Sequence, residues 1–222
     1  MSETGTRTVE RALTLLAAVA EDGGTLSQLA RAAELSPSTA SRLLATLAGQ
    51  ELVRRDEYGR YGPGTRLRQL AAVALRSDPV YELAGPHLAE LARETGETAN
   101  LAVPADDRQV VYLRQAAGPK LVQTASWAGR TIPRRGTALG AALRGAVGEG
   151  GYVARAGAVE PDVTSIAAPV YGPDGKIAAA LSVLAPNYRV SPARIDACGR
   201  AVAAHAAELS QSLGAPVGAV AA

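Results

Sequence analysis

The sequence contains no phenylalanine, one tryptophan, one methionine and one cysteine among 222 residues. With no second cysteine an internal disulfide is impossible, which fits a reducing compartment and a cytoplasmic location. Cys198 falls in a predicted amphipathic helix and reads as a small core residue, because no histidine or acid motif accompanies it. The two histidines, His87 and His205, stand far apart in the chain, and no Cys/His cluster exists, so no metal or other cofactor is expected. Apolar runs such as Ile177 to Ala185 fall well short of the ~20 residues a membrane span needs. The N-terminus shows no secretory pattern. Paired carboxylates, a Ser/His/Asp set and a glycine-rich phosphate loop are also missing, which argues against an enzyme.

What is abundant is small and aliphatic. Hydrophobic residues make up 47%, much of it alanine, so any core must be closely spaced. The length suits two modest domains or one large one. The net charge is only +2. Residues 1–77 hold ten of the twenty-three basic and eight of the twenty-one acidic side chains, so the whole surplus lies in the N-terminal third.

Thr25 to Leu47 organises that third. Leu26, Leu29, Ala30 and Ala33 sit at helical spacing. The pattern breaks at Glu34-Leu35 and restarts at Ser36-Pro37, a favoured N-cap and then a proline that needs no N–H partner in the first turn. Ala40, Leu43, Leu44 and Leu47 then repeat at i, i+3, i+4, i+7. Ser38, Thr39, Ser41, Arg42 and Thr46 face the other way. Short polar side chains let a helix approach bases closely, and arginine can bond a guanine edge twice or clamp a phosphate. An ordinary helical hairpin carries a similar pattern. The adjoining segment favours DNA. Gly49 reads as a helix stop, Glu51 to Arg55 as a strand, Asp56 to Gly59 as a turn, and Arg60 begins a return strand. That is a wing, with Arg54, Arg55 and Arg60 as its positive charge.

Before the hairpin, Arg7 to Glu21 reads as a helix with Val9, Ala12, Leu13, Leu16 and Ala20 inward. After it, Pro63-Gly64 reads as a hinge. Thr65 to Arg76 reads as a linker helix with Leu67, Leu70, Ala71, Ala74 and Leu75 on one face and a copy of itself as a candidate partner. Ser77-Asp78-Pro79 marks a boundary. Beyond it, Val80 to Glu94 is helical, with Leu83, His87, Leu88, Leu91 and Ala92 near one face. Strands are expected at Thr98 to Val103, Val110 to Gln115, Leu121 to Ala125, Ile166 to Val170 and Ile177 to Leu184. The last two are joined by a hairpin turn at Tyr171 to Gly175. Ser191-Pro192 opens a final helix that Gly214 stops. The sum is an α+β module, an antiparallel sheet with helices packed on it. Within it, Ile132 to Gly140 passes from a loop into a small-residue helix that Thr137 can cap. Such a segment suits either an anion at bare N–H groups or close packing against the sheet.

In this order the segments Val9 to Leu13, Ser36 to Leu47, Tyr58 to Gly64, Thr95 to Thr98, Gly136 to Gly140, Ala167 to Val170 and Ala180 to Pro186 resemble the IclR family of bacterial transcriptional regulators, from Thr8 to Gly214. The resemblance implies a winged helix–turn–helix over 1–63, a linker helix over 64–78, a GAF/PAS-like effector and oligomerisation domain over 79–214, and a flexible tail over 215–222. It implies a repressor or activator that acts as a homodimer or homotetramer on a double-stranded DNA operator and answers to a small-molecule effector, often a carboxylate or an aromatic metabolite. Carried over by position, Ser38, Thr39, Ser41, Arg42 and Arg60 would meet DNA. Thr137, Ala138, Leu139, Ser165, Ser182 and Leu184 would line the effector pocket, with Trp127 as a pocket wall or a core anchor.

Three departures stand out. Glu34 replaces the glycine of the inter-helix turn, where a left-handed backbone costs a non-glycine residue about 1 kcal/mol. Ala141 replaces a lysine. The chain also passes almost directly from Gly140–Val147 to Gly150–Val153, where the family has a longer, mostly helical segment. This removes a ligand-contacting acid and leaves Arg155 nearby, so a pocket that is more open, more basic or unused is expected, and an acidic effector contacted by Arg155 is the prediction. A winged-helix module used only for protein association is the rival reading.

Overall fold

The computed structural model describes residues 3–120 and 126–219. The chain divides into two compact units, Met1–Ser77 and Asp78–Ala222.

In the first unit, α1 (Glu3–Glu21), α2 (Leu26–Ala32) and α3 (Pro37–Gly49) precede a two-stranded antiparallel ribbon, β1 (Val53–Arg55) and β2 (Tyr61–Pro63). Thr25 and Gln28 close α2 with a reciprocal capping box. Ser36 Oγ accepts the Thr39 N–H at 3.3 Å, with Pro37 in the first turn of α3. Ala40, Leu43, Leu44 and Leu47 are buried, together with Leu15, Val19 and Leu29. The inward stripe of α1 is therefore Ala12, Leu15, Leu16 and Val19. Val9 and Leu13, inward by the sequence pattern, are each 58% exposed, and Ala20 is exposed too. Two apolar stripes run side by side on this helix, and tertiary packing takes one of them.

The turns also differ from expectation. Glu34 takes the left-handed conformation itself, with φ +53°, so the turn keeps the form glycine would give it. Gly49 is the last residue of α3 and not its stop. Gln50 is its C-cap, and Glu51 is the left-handed residue, with φ +57°. Gly64 is no hinge. A Cβ there would lie 2.0 Å from the Glu51 carbonyl oxygen, and its N–H donates to Leu52 O at 2.9 Å. Tyr61 exchanges both backbone hydrogen bonds with Gly24, which ties the wing to the turn after α1. Helix α4 (Thr65–Arg76) buries no residue, and Leu70 and Val73 are more than half exposed.

The second unit is built on a six-stranded antiparallel sheet of order β5-β4-β3-β8-β7-β6. Its strands are β3 (Thr98–Pro104), β4 (Gln109–Ala116), β5 (Thr131–Pro133), β6 (Val153–Ala156), β7 (Val163–Tyr171) and β8 (Ile177–Pro186). On one face, α5 (Pro79–Thr95) and α7 (Pro192–Ser212) cover Leu101, Ile166, Leu181 and Val183. On the other, the short α6 (Ala138–Ala142) covers Ala102, Ala167 and Ala180. Both faces of β8 are thus buried, which is why it reads as an unbroken apolar run instead of an alternating one. Leu83 of α5, inward by the sequence pattern, is 39% exposed, and Ala84 takes the core position. Strands β5 and β6 carry too little apolar pattern to be expected from the sequence. The strand expected at Leu121 to Ala125 lies outside the described residues. Ser191 Oγ caps α7 by accepting from Arg194 N at 3.2 Å, and Gly214 comes just after its end with φ +84°. Beyond it, Val217–Ala219 forms a 3-10 turn in the segment expected as a tail.

Candidate functional site: a recognition helix and a ligand pocket

Burying Ala40, Leu43, Leu44 and Leu47 turns Ser38, Ser41 and Arg42 outward on α3, and all three are exposed. Thr39 is half-buried, and its hydroxyl accepts from Ser36 Oγ at 2.9 Å, so it belongs partly to the cap. Thr46 bonds back to Arg42 O. In the wing, Asp56 Oδ1 accepts from the N–H groups of Tyr58 and Arg60, which shapes the turn and leaves the Arg60 side chain exposed. Arg55 is engaged locally, 5.6 Å above the Tyr61 ring and 3.4 Å from Gly59 O. Tyr58, 80% exposed at the wing tip, is an added candidate for a nucleic-acid contact. Its turn position alone gave no hint of that.

The second unit holds a cavity of about 360 Å³ on the α6 side of its sheet. Of the residues singled out from the sequence, Thr137, Ala138, Leu139, Arg155, Ser165 and Leu184 line it. Strand register explains the last three: Arg155 pairs with Ser165, and Ser165 with Leu184, so the three lie in one row across β6, β7 and β8. Ser182 lies further along β8, between Ala167 and Asn100. It is fully buried and does not line the cavity. Among the described residues, its hydroxyl, that of Ser165 and the side-chain carbonyl oxygen of Asn100 have no hydrogen-bond partner. The Ser165 hydroxyl is the one of these set in the cavity wall.

Thr137 caps α6 by accepting Gly140 N–H at 3.1 Å and donates to Pro133 O at 3.0 Å. A Cβ at Gly140 would sit 1.5 Å from Arg134 O. Close packing therefore accounts for the small residues of this segment. Trp127 is a wall of the cavity, in tilted contact with Tyr112 at 5.8 Å, and its backbone N–H donates to Gln115 Oε1. Burial pushes the Tyr112 phenol well above its ordinary pKa, so it stays neutral.

Sequence reasoning missed Tyr112, Arg130 and Ile132, and the loop from Ala158 to Val163. The alternation of Val110 and Tyr112 along β4 could have flagged the tyrosine. The loop had no such signal. Asn187 fixes it, donating its backbone N–H to Asp162 O and its side-chain N–H to Pro161 O. This loop brings Glu160 and Asp162 to the cavity, which Arg130 and Arg155 also line. Arg155 lines the cavity as expected, and the lining holds two acidic residues beside two arginines, so it is not basic on balance. Cys198 is buried in α7, and burial raises its thiol pKa, which disfavours reactivity.

A winged helix–turn–helix unit in one chain with an α+β unit that holds a ligand-sized cavity is the build of a ligand-responsive transcriptional regulator. The IclR helix-turn-helix domain model matches residues 8–57, and the model of the bacterial transcriptional regulator IclR C-terminal region matches 72–149 and 145–211. The chain belongs to the IclR family of transcriptional regulators. The two stretches of the second match meet where the sequence shortens. Among relatives, the HTH-type transcriptional regulator BhcR of Paracoccus denitrificans is 30% identical over 93% of this chain and 87% of its own. The acetate operon repressor of Salmonella typhimurium is 31% identical over 62% of this chain and 52% of its own. An IclR homologue from Microbacterium hydrocarbonoxydans, solved with 4-hydroxybenzoate, shares the fold with a TM-score of 0.72 and 22% identity over 92% of this chain and 99% of that one. The relatives are regulators and not enzymes. No helix among the described residues is long and apolar enough to cross a membrane.

Proposed function

We propose that the protein is a cytoplasmic repressor that binds operator DNA as a homodimer or a pair of dimers and is controlled by an aromatic carboxylate in the cavity. Residues 1–63 read DNA, 64–78 link, and 79–214 bind effector and associate. Ser38, Ser41 and Arg42 approach base edges, Thr39 supports the helix start, and Arg60 reaches the backbone from the wing.

The observation that carries the effector class is the cavity lining. Tyr112 and Trp127 form an aromatic wall, Arg155 and Arg130 supply positive charge, and Ser165 offers an unpartnered hydroxyl. An aromatic ring fills such a cleft, and a guanidinium binds its carboxylate with two parallel hydrogen bonds. Glu160 and Asp162 disfavour a dianion and suit a ring that also carries a hydroxyl donor. The relative solved with 4-hydroxybenzoate and the one named a repressor support this reading by analogy.

Trp127 is the single tryptophan, so intrinsic fluorescence reports on the cavity wall. Titration with 4-hydroxybenzoate is expected to change it saturably, and Arg155→Ala to weaken that binding at least tenfold. Unchanged carboxylate affinity in Arg155→Ala, together with better binding of an uncharged phenol, would overturn the assignment. Fluorescence anisotropy on DNA from upstream of the gene, against scrambled DNA at several salt concentrations, tests the DNA reading. Equal weak affinity for both, and no site enriched from random oligonucleotides, would leave protein association as the function of the winged unit.

A further inference from the structure

The only two histidines of the sequence, 118 positions apart, meet between α5 and α7, on the opposite side of the sheet from α6 and the ligand cavity. Their rings stand edge to face with centroids 5.8 Å apart. Nδ1 of His87, on α5, is 3.6 Å from Glu208 Oε2, and Nδ1 of His205, on α7, is 3.8 Å from the same oxygen. One donor atom from each of the three residues lies within 4.8 Å of the others.

His205 is 9% exposed, and its Nδ1 is buried with no hydrogen-bond partner among the described residues. Its other nitrogen, Nε2, is 3.4 Å from Glu94 Oε2 of α5. Glu94 is nearer to Nε2 than Glu208 is to Nδ1, and in the tautomer with its proton on Nε2 the buried Nδ1 presents a lone pair. That lone pair is set beside a second imidazole and a carboxylate. With both Nδ1 atoms unprotonated, two imidazoles and a carboxylate offer three lone pairs to one cation. A carboxylate on the far nitrogen of a ligating histidine is also the arrangement that orients histidine for a metal.

From this convergence we propose a divalent transition-metal site, of the zinc type, formed by His87, His205 and Glu208, with Glu94 holding His205 in place. Two imidazoles and one carboxylate suit zinc, whereas magnesium and calcium take oxygen ligands. Metal–ligand bonds near 2.0–2.2 Å place tetrahedral donors about 3.3–3.5 Å apart. Glu208 Oε2, at 3.6 and 3.8 Å from the two Nδ1 atoms, is close to that spacing, and with the three donors spread over up to 4.8 Å the two rings must also draw together slightly around a metal. The fourth position is left to water. Bound metal would staple α5 to α7, the two helices that cover one face of the sheet.

The test uses the full chain without an affinity tag, stripped with chelator and titrated with Zn²⁺ by calorimetry. One Zn²⁺ per chain is expected. Tm should rise by roughly 5–10 °C at about a hundredfold excess over Kd, with no rise for Mg²⁺. His87→Gln and Glu208→Gln should each weaken binding at least tenfold. Glu208 is exposed enough that its variant keeps the fold, which circular dichroism verifies. Cys198→Ser should bind as the parent does. Absence of stoichiometric binding, equal affinity in the parent and both ligand variants, or loss of binding in Cys198→Ser would each overturn the assignment. DNA and effector titrations read separate surfaces, so failure of the metal site and failure of the regulator reading are distinguishable.

Discussion

Glu34 and Gly64 show how single backbone positions set the DNA-reading unit. Glu34 holds a left-handed turn at φ +53° that favours glycine. Glu34→Gly is expected to stabilise the protein by about 1 kcal/mol, trimmed by the greater freedom glycine gives the unfolded chain. Urea denaturation measures the difference, and a destabilised variant would show that the Glu34 side chain contributes more than its backbone costs. Gly64 has the opposite constraint. Any side chain there meets the Glu51 carbonyl, so Gly64→Ala should destabilise by about 1–3 kcal/mol through forced movement of the wing against α4. Wild-type stability in that variant would mean the segment yields easily. Arg42 is exposed on the outer face of α3, and Arg42→Ala should cost about 1–3 kcal/mol of specific DNA affinity. A loss equal on specific and scrambled DNA would reassign Arg42 from base reading to phosphate clamping.

At the scale of elements, the caps were legible because they are local. Ser36-Pro37 and Ser191-Pro192 start α3 and α7 where the sequence places them. A cap needs only a side-chain oxygen, three residues of chain and a proline that gives up no hydrogen bond. Ser36→Ala should therefore destabilise by about 1 kcal/mol and fray the recognition helix. Faster amide exchange at Thr39 and Ala40 would mark the loss, and unchanged protection there would show that Pro37 alone fixes the start. The short strands were not legible. β5 and β6 have three and four residues and sit at the two edges of the sheet, so their pairing depends on neighbours distant in sequence. In α1 the periodicity was plain but its phase was not. Both 9/13/16/20 and 12/15/16/19 fit a helix, and only the position of α2 and α3 selects Leu15 and Val19 for burial.

At the scale of the whole molecule, the apolar side chains left uncovered bear on assembly. Val9 and Leu13 on α1, and Leu70 and Val73 on α4, are large and more than half exposed. On the proposed homodimer they are the candidates for pairing between copies, which suits a reader of two half-sites about one helical turn apart. Leu13→Glu with Leu70→Glu should shift the protein toward monomer in sedimentation and weaken operator binding, while each unit stays folded. A variant that remains dimeric would place the interface elsewhere.

Sequence alone determined the main helix starts, the wing and the family pattern, because these rest on local chemistry and on spacing along one strand or helix, and through the family pattern it reached fewer than half of the cavity residues. Ser165, Ser182 and Leu184 are all carried over by position from the family resemblance, yet Ser182 falls outside the cavity lining two residues along β8. Register, helix phase and the path of loops are long-range matters. Packing of α2 and α3 settled the buried face of α1, Asn187 brought Glu160 and Asp162 to the cavity, and the shared sheet face beneath α5 and α7 set His87 against His205. No window of sequence contains those pairs, since each is made by segments that meet only when the sheet closes or the helices dock.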